Sequence, residues 1–531
     1  MNGLVFISFI LIIGFVWFYA YKRSRSVNMN TSDGYFLGGR SLTGITIAGT
    51  VIMTNLSTEQ LVGQNGQSYV AGMEVMAWEV TSAIALVLLA LVFLPHYMKY
   101  GVDTITDFIE IRYDTTTKRI MSFLFIFTYM TSFLPVVLYS GSLVFNKIFS
   151  VDILLGVDPI IAVAVVSSVI GIVGLLYLLI GGLSLAAHSD TIYGIALIVG
   201  GLSIPVIALT MMGGGNFLDG LDTVRQNTPE KLNAIGAVDS DYVPWPTLFL
   251  GMLFNNLYFW CANQMIVQKT LAGRDLKEGQ KGALYVAFFK IFGALFLVFP
   301  GIIAFNMIGG DLENADNAYP SLLAAVLPEW SYGIFGAVIF GAILSSFVGS
   351  LNATATLFTL DFYQPIFKKD ASPKQIARAG KLTTVVVALV SIVIAPFISF
   401  APSGLYNFIQ QFNGLYSMPL LAIIVLGFFS KYVTAQGAKI TFVFHIVAYV
   451  LLTFTIGDKV NYLYIFSILF PLDVFVLWFA GKVKPLNKPF ELQAKNKVDL
   501  GQWKYRYLVS ALVIITMIIT YIVFSPLVLA K

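Results

Sequence analysis

Six consecutive residues, Asn55 to Gln60, place polar side chains inside an apolar stretch that runs from about residue 42 to residue 70. They read Asn-Leu-Ser-Thr-Glu-Gln and carry one carboxylate, two amides and two hydroxyls. A carboxylate at bilayer depth is costly unless it faces a cavity or a partner, so an ionisable residue there indicates a functional site. Since amides, hydroxyls and carboxylates can hold a small polar solute or an ion, the hexapeptide predicts a transport site.

The composition predicts a membrane protein. The chain has 531 residues, of which 57% are hydrophobic and 11% charged, and so few charges cannot cover a soluble globule of this size. Continuous apolar runs recur along the chain, about fourteen in all, each long enough to cross roughly 30 Å of hydrocarbon as a helix. The runs do not alternate with polar residues, so helices are expected instead of barrel strands.

Basic residues are concentrated in alternate loops. Lysine and arginine follow the first, third, seventh and ninth predicted spans, whereas the loops near 219–241 and 311–316 are acidic. By the positive-inside rule, an even number of spans then places both termini on the extracytoplasmic side of the cell membrane. Basic residues follow the first apolar run instead of preceding it, so residues 1–24 are expected to be a retained extra helix and not a cleaved signal peptide.

Two groups of five spans share one organisation. The first covers residues 42–212 and the second 246–429, and the first span of each has a polar centre, at 54–60 and at 255–264. Interrupted hydrophobic segments at corresponding positions of two halves point to the binding site of a transporter. With five spans per half, the second half enters the membrane from the opposite side, which predicts an inverted repeat. Residues 436–531 add three more helices.

Several motifs together resemble a known family. They lie at 35–40, 55–60, 181–184 with Asp190, 263–264 before 268–272, and 345–346 before 351–356. With these motifs, the chain from Tyr35 to about Lys431 resembles the solute:sodium symporters, most closely the bacterial sodium/galactose (sodium/glucose-type) transporters. The resemblance implies an all-α membrane protein with a leucine-transporter-like fold of two inverted five-helix repeats. It also implies sodium-driven symport of a hexose-like sugar into the cell by alternating access.

The resemblance further implies a sodium site. Its ligands would be the carbonyls of Met53, Leu56 and Ala342 and the hydroxyls of Ser345 and Ser346. Neutral oxygens suit this ion, and carbonyls freed where a helix unwinds supply them. The alternative is that the paired serines merely bond to carbonyls of their own helix, as serines in membrane helices often do.

A second sodium site, found in some relatives, is only half present. Asp190 matches its acidic residue, but Val348 and Gly349 stand where two further hydroxyls would be needed. We therefore expect one sodium ion per cycle, with Asp190 serving coupling or gating.

Six polar residues match positions that bind sugar in the resembling transporters. They are Gln60, Glu79, Ser82, Asn256, Lys290 and Gln410. Amides and carboxylates give the many hydrogen bonds that a sugar requires. Glu79 and Lys290 would be complementary charges near the midplane, which lowers the cost of burying either. For each residue alone, an interhelical polar contact is the alternative.

Six aromatic residues are expected to line the pocket or its gates. They are Trp78, Tyr129, Phe133, Phe259, Trp260 and Tyr406. Two of them depart from the resembling family, because Phe133 stands where an asparagine contacts sugar and Phe259 where the inner gate has a tyrosine. Phe259 can stack on a pyranose ring but cannot donate a hydrogen bond. The identity of the sugar is therefore left open.

Other kinds of activity find little support. The single cysteine, Cys261, excludes an internal disulfide, and the three histidines lack metal-ligand spacing. No nucleophile and base pair suggests an enzyme. The alternatives are a sodium symporter of a polyol or organic anion, although the core spans hold no arginine, or a membrane sensor with this fold. The expected partners are a small solute, sodium and the bilayer, and not nucleic acid. The oligomeric state, and whether protons or lithium replace sodium, are left open.

Overall fold

The described part of the structure is mainly helical. It is a computed structural model that describes residues 3–400, 405–457, 459–495 and 498–531. These ranges contain no strand, and two isolated parallel bridges, Leu42 with Gly273 and Asp275 with Asp499, join loops. The principal helices are α1 (Gly3–Ser24), α2 (Gly44–Asn55), α3 (Thr58–Ala71), α4 (77–100), α5 (Ile105–Arg112), α6 (Thr115–Asn146), α7 (Pro159–Met212), α8 (Gly251–Cys261), α9 (Gln264–Leu271), α10 (Leu276–Ile308), α11 (Tyr332–Phe358), α12 (Pro373–Ile394), α13 (Leu405–Phe429), α14 (Ala435–Ile456), α15 (Tyr462–Val483) and α16 (Arg506–Val523). Shorter helices at Ser32–Leu37, Val151–Leu155, Phe217–Asn227 and Ala318–Val326 lie in the connections.

Eleven helical segments of the described chain are long and apolar enough to cross a membrane, by length and composition. The predicted count of about fourteen differs for two physical reasons. Helices α2, α8 and α9 have 12, 11 and 8 residues, each too short to cross alone. Conversely, Thr58–Tyr100 and α7 run on for 43 and 54 residues. The exact count of fourteen stays a prediction.

Helix α7 contains a break close to the boundary between two predicted spans, 159–183 and 189–212. At a rise of about 1.5 Å per residue, 54 residues of straight helix would far exceed the hydrocarbon thickness. Gly182 interrupts it with φ 53° and ψ −153°. Only glycine tolerates this backbone easily, and a Cβ at Gly182 would also lie 2.8 Å from the Tyr35 carbonyl oxygen. The chain therefore turns at Gly182.

Helix α11 lies at the centre of the bundle. In its most apolar window 94% of the residues are buried, against 17% for α1 and 11% for α16, which face outward. It packs on α7 and α2, and α2 also packs on α7 and α10. On the other side, α8 contacts α4, α13 and α15. This packing surrounds the ends of α2 and α8, where the two predicted polar interruptions fall.

Candidate functional site

The first interruption separates α2 from α3. Leu56 has φ −84° and ψ 73°, and Ser57 is extended. In a continuous helix the Ser57 and Gln60 N–H groups would donate to the carbonyls of Met53 and Leu56. They donate instead to Asn55 O at 3.0 Å and Ser57 O at 3.1 Å. The break therefore redirects backbone donors away from two of the carbonyls predicted to bind sodium.

Helix α11 presents its paired serines to this break. The Ser346 hydroxyl donates to the carbonyl oxygens of Met53 at 3.2 Å and Thr54 at 2.9 Å. Ser345 Oγ lies 3.4 Å from Thr54 Oγ1. Ser346 thus reaches across to α2, whereas Ser350, one turn on, bonds to the Ser346 carbonyl of its own helix at 2.7 Å. The arrangement brings hydroxyl and carbonyl oxygens of two helices together.

The remaining predicted sodium ligands lie nearby in the chain. Ala342 is one helical turn before Ser346 and is fully buried, and Leu56 is buried at the break itself. Among the described residues, neither carbonyl accepts a hydrogen bond from the Ser345 or Ser346 hydroxyl, so the role of these carbonyls as ligands stays a prediction.

Asp190 is buried on α7 beside α2. Its Oδ2 accepts a hydrogen bond from Thr50 Oγ1 at 2.6 Å and lies 3.6 Å from the Lys269 ammonium of α9. Asp190 therefore has a positive partner that the sequence analysis did not identify.

A second buried charge pair joins α4 to α10. Lys290 forms an ion pair with Glu79, and both side chains are buried. The Lys290 ammonium also donates to Asn55 Oδ1 at 2.6 Å, and Gln64 Nε2 donates to Glu79 Oε1 at 2.8 Å. The ammonium lies 5.4 Å from the centre of the Trp260 ring, within cation–π range. The network ties the residues flanking the break to both charged side chains.

A small cavity of about 30 Å³ opens beside the break. It is lined by Thr54, Asn55, Glu59, Gln60, Phe133, Phe259, Ile409, Gln410 and Asn413. Four predicted residues, Gln60, Gln410, Phe133 and Phe259, thus meet at one place. Ligand sites for drug-sized molecules are about 300–1,000 Å³, so a hexose needs this cavity to open further.

Several predicted pocket residues make other contacts in this conformation. Asn256 Nδ2 donates to Thr81 Oγ1 at 2.8 Å, and the Ser82 hydroxyl donates to the Glu79 carbonyl of its own helix. Tyr129 donates to Asn263 Oδ1 at 2.7 Å, at the second interruption, where Asn263 separates α8 from α9. Trp78 is buried on α4. The side chain of Tyr406 is not among the side chains that the structure describes.

Five polar residues of this region were not among the site residues predicted individually. They are Asn55, Glu59, Gln64, Lys269 and Asn413. Asn55 and Glu59 were visible within the polar hexapeptide, and Lys269 as a lysine close to the second polar interruption. A charged side chain at such a place is a signal in itself.

The comparison with known proteins decides the family. The family model of the sodium:solute symporters matches residues 35–444. The chain belongs to the sodium:solute symporter family. An uncharacterized symporter of Escherichia coli, YidK, is 42% identical over 521 residues, covering 98% of this chain and 91% of that protein. The sodium/glucose cotransporter of Vibrio parahaemolyticus is 31% identical over 460 residues, covering 82% of each protein.

The fold agrees with this family. A solved structure of a Na⁺-coupled sialic acid symporter, substrate-bound and outward-open, has a TM-score of 0.78 at 19% identity. The similarity covers 92% of this chain and 99% of that one. The predicted all-α, leucine-transporter-like fold is confirmed. The symporter is therefore a multi-pass membrane transporter, and not an enzyme, that couples sodium to the movement of a small solute.

Proposed function

We propose that this symporter takes up a neutral, polyhydroxylated solute, a hexose-like monosaccharide, into the cell with one sodium ion per cycle by alternating access. The observation that carries the proposal is a set of buried acceptors without donors. Glu59 Oε2 and Gln60 Oε1 line the cavity and have no hydrogen-bond partner among the described residues. A buried acceptor left unpaired costs about 1–3 kcal/mol, which a solute rich in hydroxyl donors would recover.

The other cavity walls favour a sugar over an anion. Phe133 and Phe259 offer aromatic faces, which suit the C–H surface of a pyranose. No lysine or arginine is among the described residues that line the cavity, and the nearby Lys290 is paired with Glu79. An organic anion would meet the Glu59 carboxylate without a compensating cation. A polyol offers the same hydroxyl donors as a sugar and is the second candidate.

The proposed contacts divide into three groups. Gln60 and Gln410 reach the solute at the cavity, and Glu79 and Lys290 bind it from the adjoining charge network. Ser82 and Asn256 join when the helices move apart. Sodium is held by the carbonyls of Met53, Leu56 and Ala342 with the hydroxyls of Ser345 and Ser346. The aromatic residues Trp78, Tyr129, Trp260 and Tyr406 complete the pocket and its gates.

The proposed site lies within an architecture of two five-helix repeats and additional helices at both ends. The two five-helix repeats cover 42–212 and 246–429, residues 1–24 form an extra helix, and 436–531 hold three more. Breaks at the corresponding first helices, at Leu56–Ser57 and Ala262–Asn263, support this division. Both termini face the extracytoplasmic side of the cell membrane, as the basic loops favour.

A thermal-shift screen of the purified symporter tests the substrate class. Monosaccharides, polyols and carboxylates are each added in sodium or in choline buffer. Because a ligand at about 100 times its Kd adds about 2.7 kcal/mol to stability, binding raises Tm. We expect a hexose to raise Tm in sodium only. A rise in Tm with a carboxylate but with no sugar or polyol would overturn the proposed substrate class. An equal rise in Tm in sodium and in choline would overturn the proposed coupling of solute binding to sodium.

Phe259→Tyr is expected to preserve uptake. The ring keeps its edge-to-face contact with Trp260, whose centroid lies 5.1 Å away. The added hydroxyl contributes about 0.5–1.5 kcal/mol if it bonds to the solute. Radiolabelled uptake in proteoliposomes measures the change, with Phe259→Ala as the control that removes the aromatic face. Equal uptake by the alanine variant would exclude Phe259 from the solute site.

A further inference from the structure

Lys269 is a fully buried lysine whose ammonium lies among oxygens of α2 and α7. It donates to the Thr50 carbonyl at 3.2 Å and to the Thr54 hydroxyl, and it lies 3.6 Å from Asp190 Oδ2. Its side chain has a relative exposure of 2%. Taking such a charge out of water costs several kcal/mol unless partners compensate. The oxygens around the ammonium supply this compensation and therefore form a binding site for a cation.

These oxygens are of the types that bind hard cations. They comprise the Asp190 carboxylate, the Thr50 carbonyl and the Thr54 hydroxyl, with Ser345 Oγ 3.4 Å beyond Thr54 Oγ1. Carboxylate, carbonyl and hydroxyl oxygens are what sodium-like ions prefer, and a lysine ammonium is a compact monovalent charge. The same positions could therefore hold a free ion in place of the ammonium.

Close packing at Gly349 leaves little room for one of the two missing hydroxyls. A Cβ at this position would lie 3.2 Å from Lys269 Nζ and 3.2 Å from Thr54 Oγ1. These separations are tight, so a serine at this position would crowd the ammonium. A second sodium site built by Gly349→Ser would therefore need Lys269 removed first.

We propose that Lys269 is a tethered cation that holds the place of a second sodium ion, so that the symporter carries one mobile sodium per solute. The proposal rests on sodium symport as proposed above. The ammonium supplies the positive charge beside Asp190 and binds Thr50 and Thr54 in the last turns of α2, where Ser346 contacts the carbonyls of Met53 and Thr54. Without Lys269, Asp190 would be left buried and unpaired, and it would recruit a cation from solution.

Sodium binding without solute tests this proposal directly. Bound ²²Na⁺ is counted on the purified full-length protein, and the wild type is expected to hold one ion. Lys269→Ala should hold two, a twofold increase, and Lys269→Ala with Asp190→Asn should hold one again. Lys439→Ala is the matched control, because it breaks a partly exposed ion pair with Asp114 and should leave the count at one.

The possible results separate the two proposals. A wild type that binds no sodium overturns the single sodium site proposed above. A wild type with one ion and a folded Lys269→Ala variant that also binds one overturns the tethered cation. A second ion that persists in the double variant overturns the role of Asp190 and, with it, the proposed site. If Lys269→Ala cannot be purified, Lys269→Ser, which supplies a hydroxyl, is counted in the same way and read by the same criteria.

Discussion

Replacing Glu79 with alanine is expected to abolish sodium-driven uptake. The change removes a proposed acceptor of solute hydroxyls, and hydrogen bonds to charged groups contribute about 1.5–3 kcal/mol. It also strands Lys290, whose ammonium is buried against Glu79 and Asn55. Breaking a buried ion pair by removing one partner costs about 3–5 kcal/mol, so stability falls as well. Solute uptake in proteoliposomes and Tm in detergent measure the two effects.

A double variant separates binding from folding. Glu79→Gln with Lys290→Met removes both charges while nearly keeping their volumes, which is often neutral for stability. The folded double variant should have a Tm near that of the wild type and should still fail to transport. Normal uptake by the double variant would show that the pair only holds α4 to α10 and would remove both residues from the solute site.

Sequence patterns predicted the breaks in α2–α3 and α8–α9 because polar residues at bilayer depth need a reason to be there. Asn55 to Gln60 and Asn263 both fall at helix interruptions in the structure. Periodic and local signals of this kind are visible in one chain. They indicate where the backbone departs from a helix, and hence where backbone carbonyls become available to bind an ion.

Pairings between distant residues were not predictable from one chain. Lys269 and Asp190 lie 79 positions apart in sequence, and the rotation of α9 against α7 decides whether they meet. The Glu79 and Lys290 pair was expected from resemblance and is present. The hydrogen-bond partners of Ser82 and Asn256 were not predicted, because a hydroxyl or amide on a packed helix has several partners within reach.

The helix count shows the same limit. Apolar runs indicate how much chain can cross a bilayer, but not where one helix bends into the next. The residue that breaks α7 is Gly182. It has a positive φ and packs closely against the backbone of Tyr35. The sequence predicts a boundary between spans at 159–183 and 189–212, but a glycine in an apolar run does not by itself reveal its backbone angles.

Ser346→Ala is expected to weaken sodium dependence more than any other single change at the break. The hydroxyl reaches the carbonyl oxygens of Met53 and Thr54 in α2 from α11, a helix that is almost entirely buried. Its loss removes one proposed ligand, and a loss of about 1.4 kcal/mol already lowers affinity tenfold. The sodium concentration for half-maximal uptake should therefore rise at least about tenfold.

Ser350→Ala is the matched control, because that hydroxyl donates to the Ser346 carbonyl within α11, lies 3.3 Å from Met265 Sδ of α9, and makes no hydrogen bond to α2 among the described residues. Its sodium dependence should match the wild type. Stability in choline separates a packing effect from an ion effect: the single hydroxyl proton of Ser346 is shared between two carbonyls, and its loss costs about 1 kcal/mol with or without sodium. A Ser346→Ala variant that loses stability equally in both buffers and keeps its sodium dependence would show that the hydroxyl only joins α11 to α2, and the sodium ligands would then have to be sought elsewhere along the break.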